Sequence, residues 1–387
     1  MLLRELFLRE APEAKKAVDY GRAFNHPEHL VFFYGVEGTL EALQHFQEIV
    51  TEKPGKTSVR KKWDGNPQVY WGREEKNGPL ILAGHNGWAR GAKGTTQEEI
   101  YDFIANQSGK PATPEAAKER NLFARNFANL YPLFDAATPK DFVGFVYADN
   151  LFGVDPANPK SLQDNVYTFC PNPKSKTCYH VDASSELGQR VATAQVMVVG
   201  HGYFPEFGMP DKLQQPMDDF SEFNTTPGLI VQGPIYVSEA PAIDTTPITD
   251  LINYTNKYAE VIDGFLDGIS PQDKNGIFYP FANYLNKSGQ FNNVSGKVFL
   301  DWLTQKGVSK NKQQNIINQI QAHPGGLDAV FHLMVQIRNM KDLMDDAIKQ
   351  QGRPEIWDTH GEGHVRYADP KKHKFGNIKI VPTTWTP

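Results

Sequence analysis

The chain has 387 residues, 40% of them hydrophobic and 22% charged, with a net charge of −5. This composition excludes a disordered chain, and the excess of acid excludes a uniformly basic coat for nucleic acid, though not a local basic groove. The length predicts about two to three domains. With no run of about 20 apolar residues, no membrane-spanning helix is expected. The opening segment interrupts its leucines with Arg4, Glu5, Arg9 and Glu10, unlike a signal peptide. Cys170 and Cys178 are too few for a disulfide framework or a four-thiolate zinc site. They read as packing residues, and the expected location is the cytoplasm.

Residues 1–20 read as a helix. The apolar run Val31–Tyr34 reads as a short strand or buried turn, and Thr39 then caps a helix with Leu40, Leu43, Phe46, Ile49 and Val50 on one face. From Ser58 short strands and tight turns follow, with a turn at Lys76-Asn77-Gly78. The Gly-rich stretch Gly84–Gly94 lacks the Gly-Lys-Ser/Thr of a P-loop and reads as a flexible surface loop. Helices are expected near Gln97–Ser108 and Pro114–Leu130. Strands are expected at Phe142–Tyr147, Asn165–Phe169, Thr177–Val181 and Gln195–Val199, with a short helix over Ser185–Ala194. Helical periodicity marks Leu251–Leu266, Phe278–Leu285, Lys297–Gln305, Lys312–Ala322 and Leu327–Ile348. Strand patterns return at His364–Tyr367 and Ile378–Val381. The expected class is α+β with a large helical insertion: residues 1–245, a helical block over 246–350, and closing strands over 351–387.

The sharpest chemical signal is Lys62-Trp63-Asp64-Gly65. Residues two apart in a strand share a side, so Lys62 and Asp64 would act together. The following glycine permits close approach of a ligand. A lysine amine becomes a nucleophile when its surroundings favour the neutral form. The alternative is a solvated basic turn. Further along, Asp149 ends an apolar strand, Tyr167 and Phe169 lie in an aromatic one, Glu362 precedes Gly363, and Lys372, Lys374 and Lys379 stand in the tail. Each also has an ordinary reading as a turn, core or solvated residue.

Lys62–Gly65 resembles the first motif of the covalent nucleotidyltransferases, the ATP-dependent DNA and RNA ligases and mRNA capping enzymes. The segment Phe142–Phe152 resembles their third motif, with Asp149 where glutamate is usual. Val166–Phe169 resembles the base-stacking strand, Gly361–Arg366 the fourth motif, and Lys372, Lys374 or Lys379 the lysines of the fifth. These pieces occur in the family's order over about residues 58–200 and 360–381. The wider stretch also resembles uncharacterised tailed-phage (bacteriophage) proteins in which a Trp-Asp-Gly core precedes a proline. The family arginine two residues after the glycine is here Pro67, and Arg73 is the candidate to replace it.

The resemblance implies a ligase-like adenylation domain in which Lys62 attacks the α-phosphate of ATP. Asp64 and Glu362 would be catalytic, Asp149 and Glu362 would hold Mg2+, and Asp149 could hold the ribose. Tyr167 or Phe169 would stack the base. Lys379, then Lys374 and Lys372, would stabilise the phosphates. The acceptor would be a 5′-phosphate end of RNA or DNA in ligation or repair, in host cytoplasm if phage-encoded. The helical block would grip the acceptor or a protein partner, with Lys306, Lys310, Lys312, Arg338 and Lys341 as its basic residues. The competing expectation is a phage structural or nucleic-acid-binding protein on a degenerate ligase-like scaffold.

Overall fold

The apolar run Val31–Tyr34 is helical and Gln68–Arg73 is a strand, and the two fall in different parts of the chain. The computed structural model describes residues 24–53, 55, 57–106, 113–155, 159–171, 177–210, 213–359 and 362–382. The helix expected over residues 1–20 lies outside them. The fold is mixed α+β, and the chain divides into two compact units. Of the described residues, the first unit takes those up to 60, 236–352 and those from 363, and the second takes those within 61–235 and 353–362.

The strands in chain order are β1 (Phe24–Asn25), β2 (Val59–Lys61), β3 (Gln68–Arg73), β4 (Ile81–Gly84), β5 (Gly144–Phe152), β6 (Ser161–Gln163), β7 (Val166–Phe169), β8 (Tyr179–Asp182), β9 (Val196–Phe204), β10 (Leu229–Gln232), β11 (Ile356–Asp358), β12 (His364–Arg366) and β13 (Asn377–Ile380).

In the first unit, Pro27 opens a helix over Pro27–Thr51. Val31–Tyr34 belongs to this helix and is not a strand. An unbroken apolar run of four residues fits a fully buried helix turn as well as a strand, and Leu30, Val31 and Phe32 are completely buried. The helix kinks at Gly35, whose φ of 62° a side chain would strain. Helices Thr246–Lys257, Ala259–Asp267, Tyr279–Ser288, Gly296–Gln305, Lys310–Ala322 and Gly326–Lys349 follow. The expected helix Leu251–Leu266 is thus two, parted at Tyr258. The predicted stripe Leu327, Val330, Phe331, Met334 and Ile337 shares one core with Leu30, Phe32, Leu43 and Phe46. The helical block therefore does not stand alone. A sheet of order β1-β13-β12-β2 completes the unit. Lys341 forms a buried ion pair with Glu28, 2.5 Å apart, and Arg338 lies buried 4.0 Å from the Phe291 ring. These two cations serve packing and are not offered to an acceptor. Among the described residues no helix is long and apolar enough to cross a membrane.

In the second unit, β3 alternates its burial between two faces. Val69 and Trp71 join a core with Leu82, Phe127, Phe134 and Val146, whereas Tyr70 faces Trp88, Phe145 and Phe204. The sheet order is β10-β9-β5-β3-β4, antiparallel except for β9 with β10. Helices Gln97–Asn106, Pro114–Ala128 and Tyr131–Ala137 cover the first face. The Gly-rich stretch is not a flexible loop. It forms a helix over His85–Arg90 whose buried Trp88 stacks on Tyr70 at 4.5 Å and donates to Met209 O at 2.8 Å. A second sheet, β11-β8-β7-β6, packs through Phe169, Tyr179, Val181 and Ile356 against Met197, Val199 and Ile230.

Pairing of Phe169 with Tyr179 places Cys170 directly opposite Cys178, and the two form a disulfide. This corrects their reading as separate packing residues. The cause is strand register, which the sequence pattern alone did not define.

Arg73 ends β3, fully buried. Its guanidinium donates to Asp135 Oδ1 at 2.6 Å and to Gly78 O at 2.7 Å, with longer bonds to Pro139 O and Thr138 O. Arg73→Ala would remove the buried guanidinium from Asp135 and leave the Gly78 and Thr138 carbonyls without this donor, and it is expected to destabilise the chain by on the order of 3 kcal/mol in urea unfolding. A loss below about 0.5 kcal/mol, the range of surface substitutions, would contradict this role.

Candidate active site

Lys62-Trp63-Asp64-Gly65 follows β2 directly and is fixed residue by residue. Trp63 is buried in the core between the two sheets of the second unit, its ring 5.2 Å from that of Tyr179. Lys61 is held in an ion pair with Asp358 of β11 and lies 5.5 Å from the Trp63 ring. The Asp64 backbone N–H donates to Tyr179 Oη at 2.7 Å. Gly65 is pressed against β5: a Cβ there would come within 2.5 Å of Asp149 Cβ and 2.7 Å of Asn150 O. The chain then pairs with β5, through Asn66 N to Asn150 O and Asn150 N to Pro67 O, each 2.9 Å. Gly65 thus permits a close approach to another strand, which places the acid of β5 immediately behind the lysine motif.

Pairing of β11 with β8 brings Ile356–Asp358 to the same place, and Glu362 lies there too. Glu362 is fully buried. Its Oε2 lies 3.3 Å from Lys62 Nζ and accepts from the Tyr179 hydroxyl at 3.2 Å. Residues separated by 300 positions therefore form one ion pair, and Tyr179 links both motifs. Burial raises the Glu362 carboxyl to about 7; the Lys62 charge opposes the rise and the Asp64 charge adds to it. Burial also raises the Tyr179 phenol well above its ordinary range, helped by the nearby Glu362 charge. The phenol therefore remains a donor. A lysine beside a carboxyl that titrates near neutrality can exchange a proton with it, which is what an amine nucleophile requires.

The other sequence candidates separate into groups. Asp149 lies behind Gly65, with its Oδ2 3.0 Å from His201 Nε2 and its Oδ1 buried without a hydrogen-bond partner. Phe169 is completely buried in the core and is not available to stack a base. Tyr167 is half-buried against the same core. Arg73 is not a ribose ligand: its guanidinium is used inside the fold, and it lies five residues along β3 from Gln68, the strand's end nearest the motif. At about 3.3 Å per residue this is roughly 17 Å. Lys372, Lys374 and Lys379 belong to the first unit. Lys374 Nζ pairs with Glu37 at 2.8 Å, Lys372 is exposed in the turn after β12, and Lys379 lies in β13 opposite Val365. His360 and Gly361 lie outside the described residues.

Tyr179, Asp358 and His201 carry parts of this site that sequence reasoning missed. The strand holding Tyr179 was legible, but no motif marks the tyrosine. Tyr179→Phe would remove the Glu362 bond and leave the Asp64 N–H without its acceptor. Urea unfolding is expected to register a loss of roughly 1–3 kcal/mol; a change within about 0.3 kcal/mol would remove Tyr179 as the link. No protein-family model, curated protein or solved structure matches the chain.

Proposed function

We propose that the second unit is a covalent nucleotidyltransferase in which Lys62 takes a nucleotide from ATP. The observation that carries this reading is the buried Lys62–Glu362 pair, 3.3 Å apart and bridged to Asp64 by Tyr179. Glu362, poised near 7, accepts the Lys62 proton. The neutral amine attacks the α-phosphorus, the N–P bond forms as the bond to the β-phosphate oxygen breaks, and pyrophosphate leaves with that electron pair and takes up the second amine proton. The product is a lysyl phosphoramidate of AMP, ready for transfer to an acceptor such as a 5′-phosphate of RNA or DNA. The buried Asp149 Oδ1, which lacks a hydrogen-bond partner, fits a cation, so Asp149 is the carboxylate that would hold Mg2+ while Glu362 serves as the base. Bound there, the ion would neutralise phosphate charge.

Incubation of the chain with Mg2+ and each α-labelled nucleoside triphosphate, then with NAD, tests the reading by denaturing gel and intact mass. The expected result is an acid-labile gain of one nucleoside monophosphate with ATP. Absence of an adduct with every donor would favour the nucleic-acid-binding or structural reading.

A further inference from the structure

The helix Pro27–Thr51 places Glu41 and His45 one turn apart on one face. His373, in the turn between β12 and β13, closes over them, and one donor atom from each of the three lies within 4.8 Å of the others. All three side chains are buried, His45 completely, and the two imidazoles stack with centroids 3.9 Å apart. Buried polar atoms normally have hydrogen-bond partners. Here His45 Nε2 and His373 Nδ1 have none, and Glu41 Oε1 is 3.9 Å from His45 Nε2.

The opposite ring nitrogens are held. His373 Nε2 is 2.9 Å from Glu48 Oε2, which places its proton there and leaves the lone pair on Nδ1. That is how a carboxylate orients a metal-ligating histidine. His45 Nδ1 faces Arg366 Nη1. Arg366 is 2.6 Å from Glu48 and 3.8 Å from Glu52. Two carboxylates, those of Glu48 and Glu52, thus flank a single guanidinium. Arg366 can only donate, so as the ring stands His45 Nδ1 accepts and the His45 proton lies on Nε2.

We propose that Glu41, His45 and His373 form a divalent transition-metal site that pins the first long helix to the β12–β13 turn. Two imidazoles and one carboxylate suit a borderline divalent ion such as Zn2+ or Fe2+. Binding at His45 Nε2 puts the ring proton on Nδ1. Arg366 then releases that nitrogen and keeps Glu48 and the Ser58 hydroxyl, 2.8 Å from its Nε. The site lies wholly in the first unit and is independent of nucleotide transfer.

The test titrates the full-length chain, stripped with chelator, with Co2+ and then Zn2+. One equivalent of Co2+ should develop visible d–d absorption, and Zn2+ should displace it. His373→Ala and Glu41→Gln should each weaken binding by more than the roughly 10–100-fold that loss of an outer-shell partner costs, with unchanged far-UV circular dichroism. Should a variant fail to fold, the histidine 15N shifts of the wild-type chain decide, since His45 Nε2 and His373 Nδ1 should move on addition of Zn2+. No d–d absorption, binding that both variants retain, or unmoved histidine shifts would overturn the proposal and leave an Arg366-centred structural network.

Discussion

Lys62→Ala and Lys62→Arg are both expected to reduce the nucleotide adduct to background. The arginine variant is the more informative of the two. It can still pair with Glu362 across the 3.3 Å contact, so the buried carboxylate keeps a cation beside it. A guanidinium stays protonated at any working pH and cannot attack phosphorus. Alanine removes charge and nucleophile together, so its loss of activity could also reflect an unpaired Glu362. Unfolding curves recorded beside the labelling separate these effects: Lys62→Arg should remain close to wild type in stability while forming no adduct. An adduct in Lys62→Arg at wild-type yield would place the nucleophile elsewhere.

Glu362→Gln is expected to slow adduct formation by about 10²–10⁴-fold, the range for loss of a positioned general base. In the wild type the single-turnover rate should rise with pH through about 7 as Glu362 loses its proton. The variant should lack that limb. Stability should move the other way. The folded-state pKa of Glu362 is raised from 4.5 to about 7 by burial. Its contribution is therefore fully present below 4.5 and is lost as pH rises through 7, because the unfolded chain has already released the proton that the folded chain holds. Between pH 5 and 8 the wild type should lose roughly 2–3 kcal/mol relative to Glu362→Gln. Subtracting the variant cancels the other titrating carboxyls, including Glu41, which burial also raises to about 7. A difference that does not change with pH would mean that Glu362 is not held as a buried, titrating carboxyl.

Much of the helical unit was legible because periodicity is a local property. Leu327, Val330, Phe331, Met334 and Ile337 form the stripe that their spacing implies, buried in the common core. What was not local was not legible. The disulfide between Cys170 and Cys178 depends on the register of β7 with β8. The helical form of Val31–Tyr34 goes with burial of successive residues, Leu30 to Phe33, which removes the amphipathic signal. Arg73 was singled out for its place near the lysine motif, but its destination is an internal carboxylate, Asp135.

At the candidate site, the motif order pointed to Lys62 and Glu362, and these two are in contact. The same order pointed to Phe169, which is core. A motif names residue types along a line, whereas the fold decides which of them share a cavity and which are packing. Tyr179 illustrates the converse. Its hydroxyl joins Asp64 to Glu362, yet in the sequence it is one aromatic residue in a short strand, beside a cysteine.

The most direct test is a single-turnover reaction of the wild-type chain with ATP and Mg2+, in which released pyrophosphate and the modified peptide are measured together. Nucleotide transfer to Lys62 predicts one equivalent of pyrophosphate per chain and AMP on the peptide containing Lys62. No pyrophosphate, or AMP attached to any other residue, would contradict it.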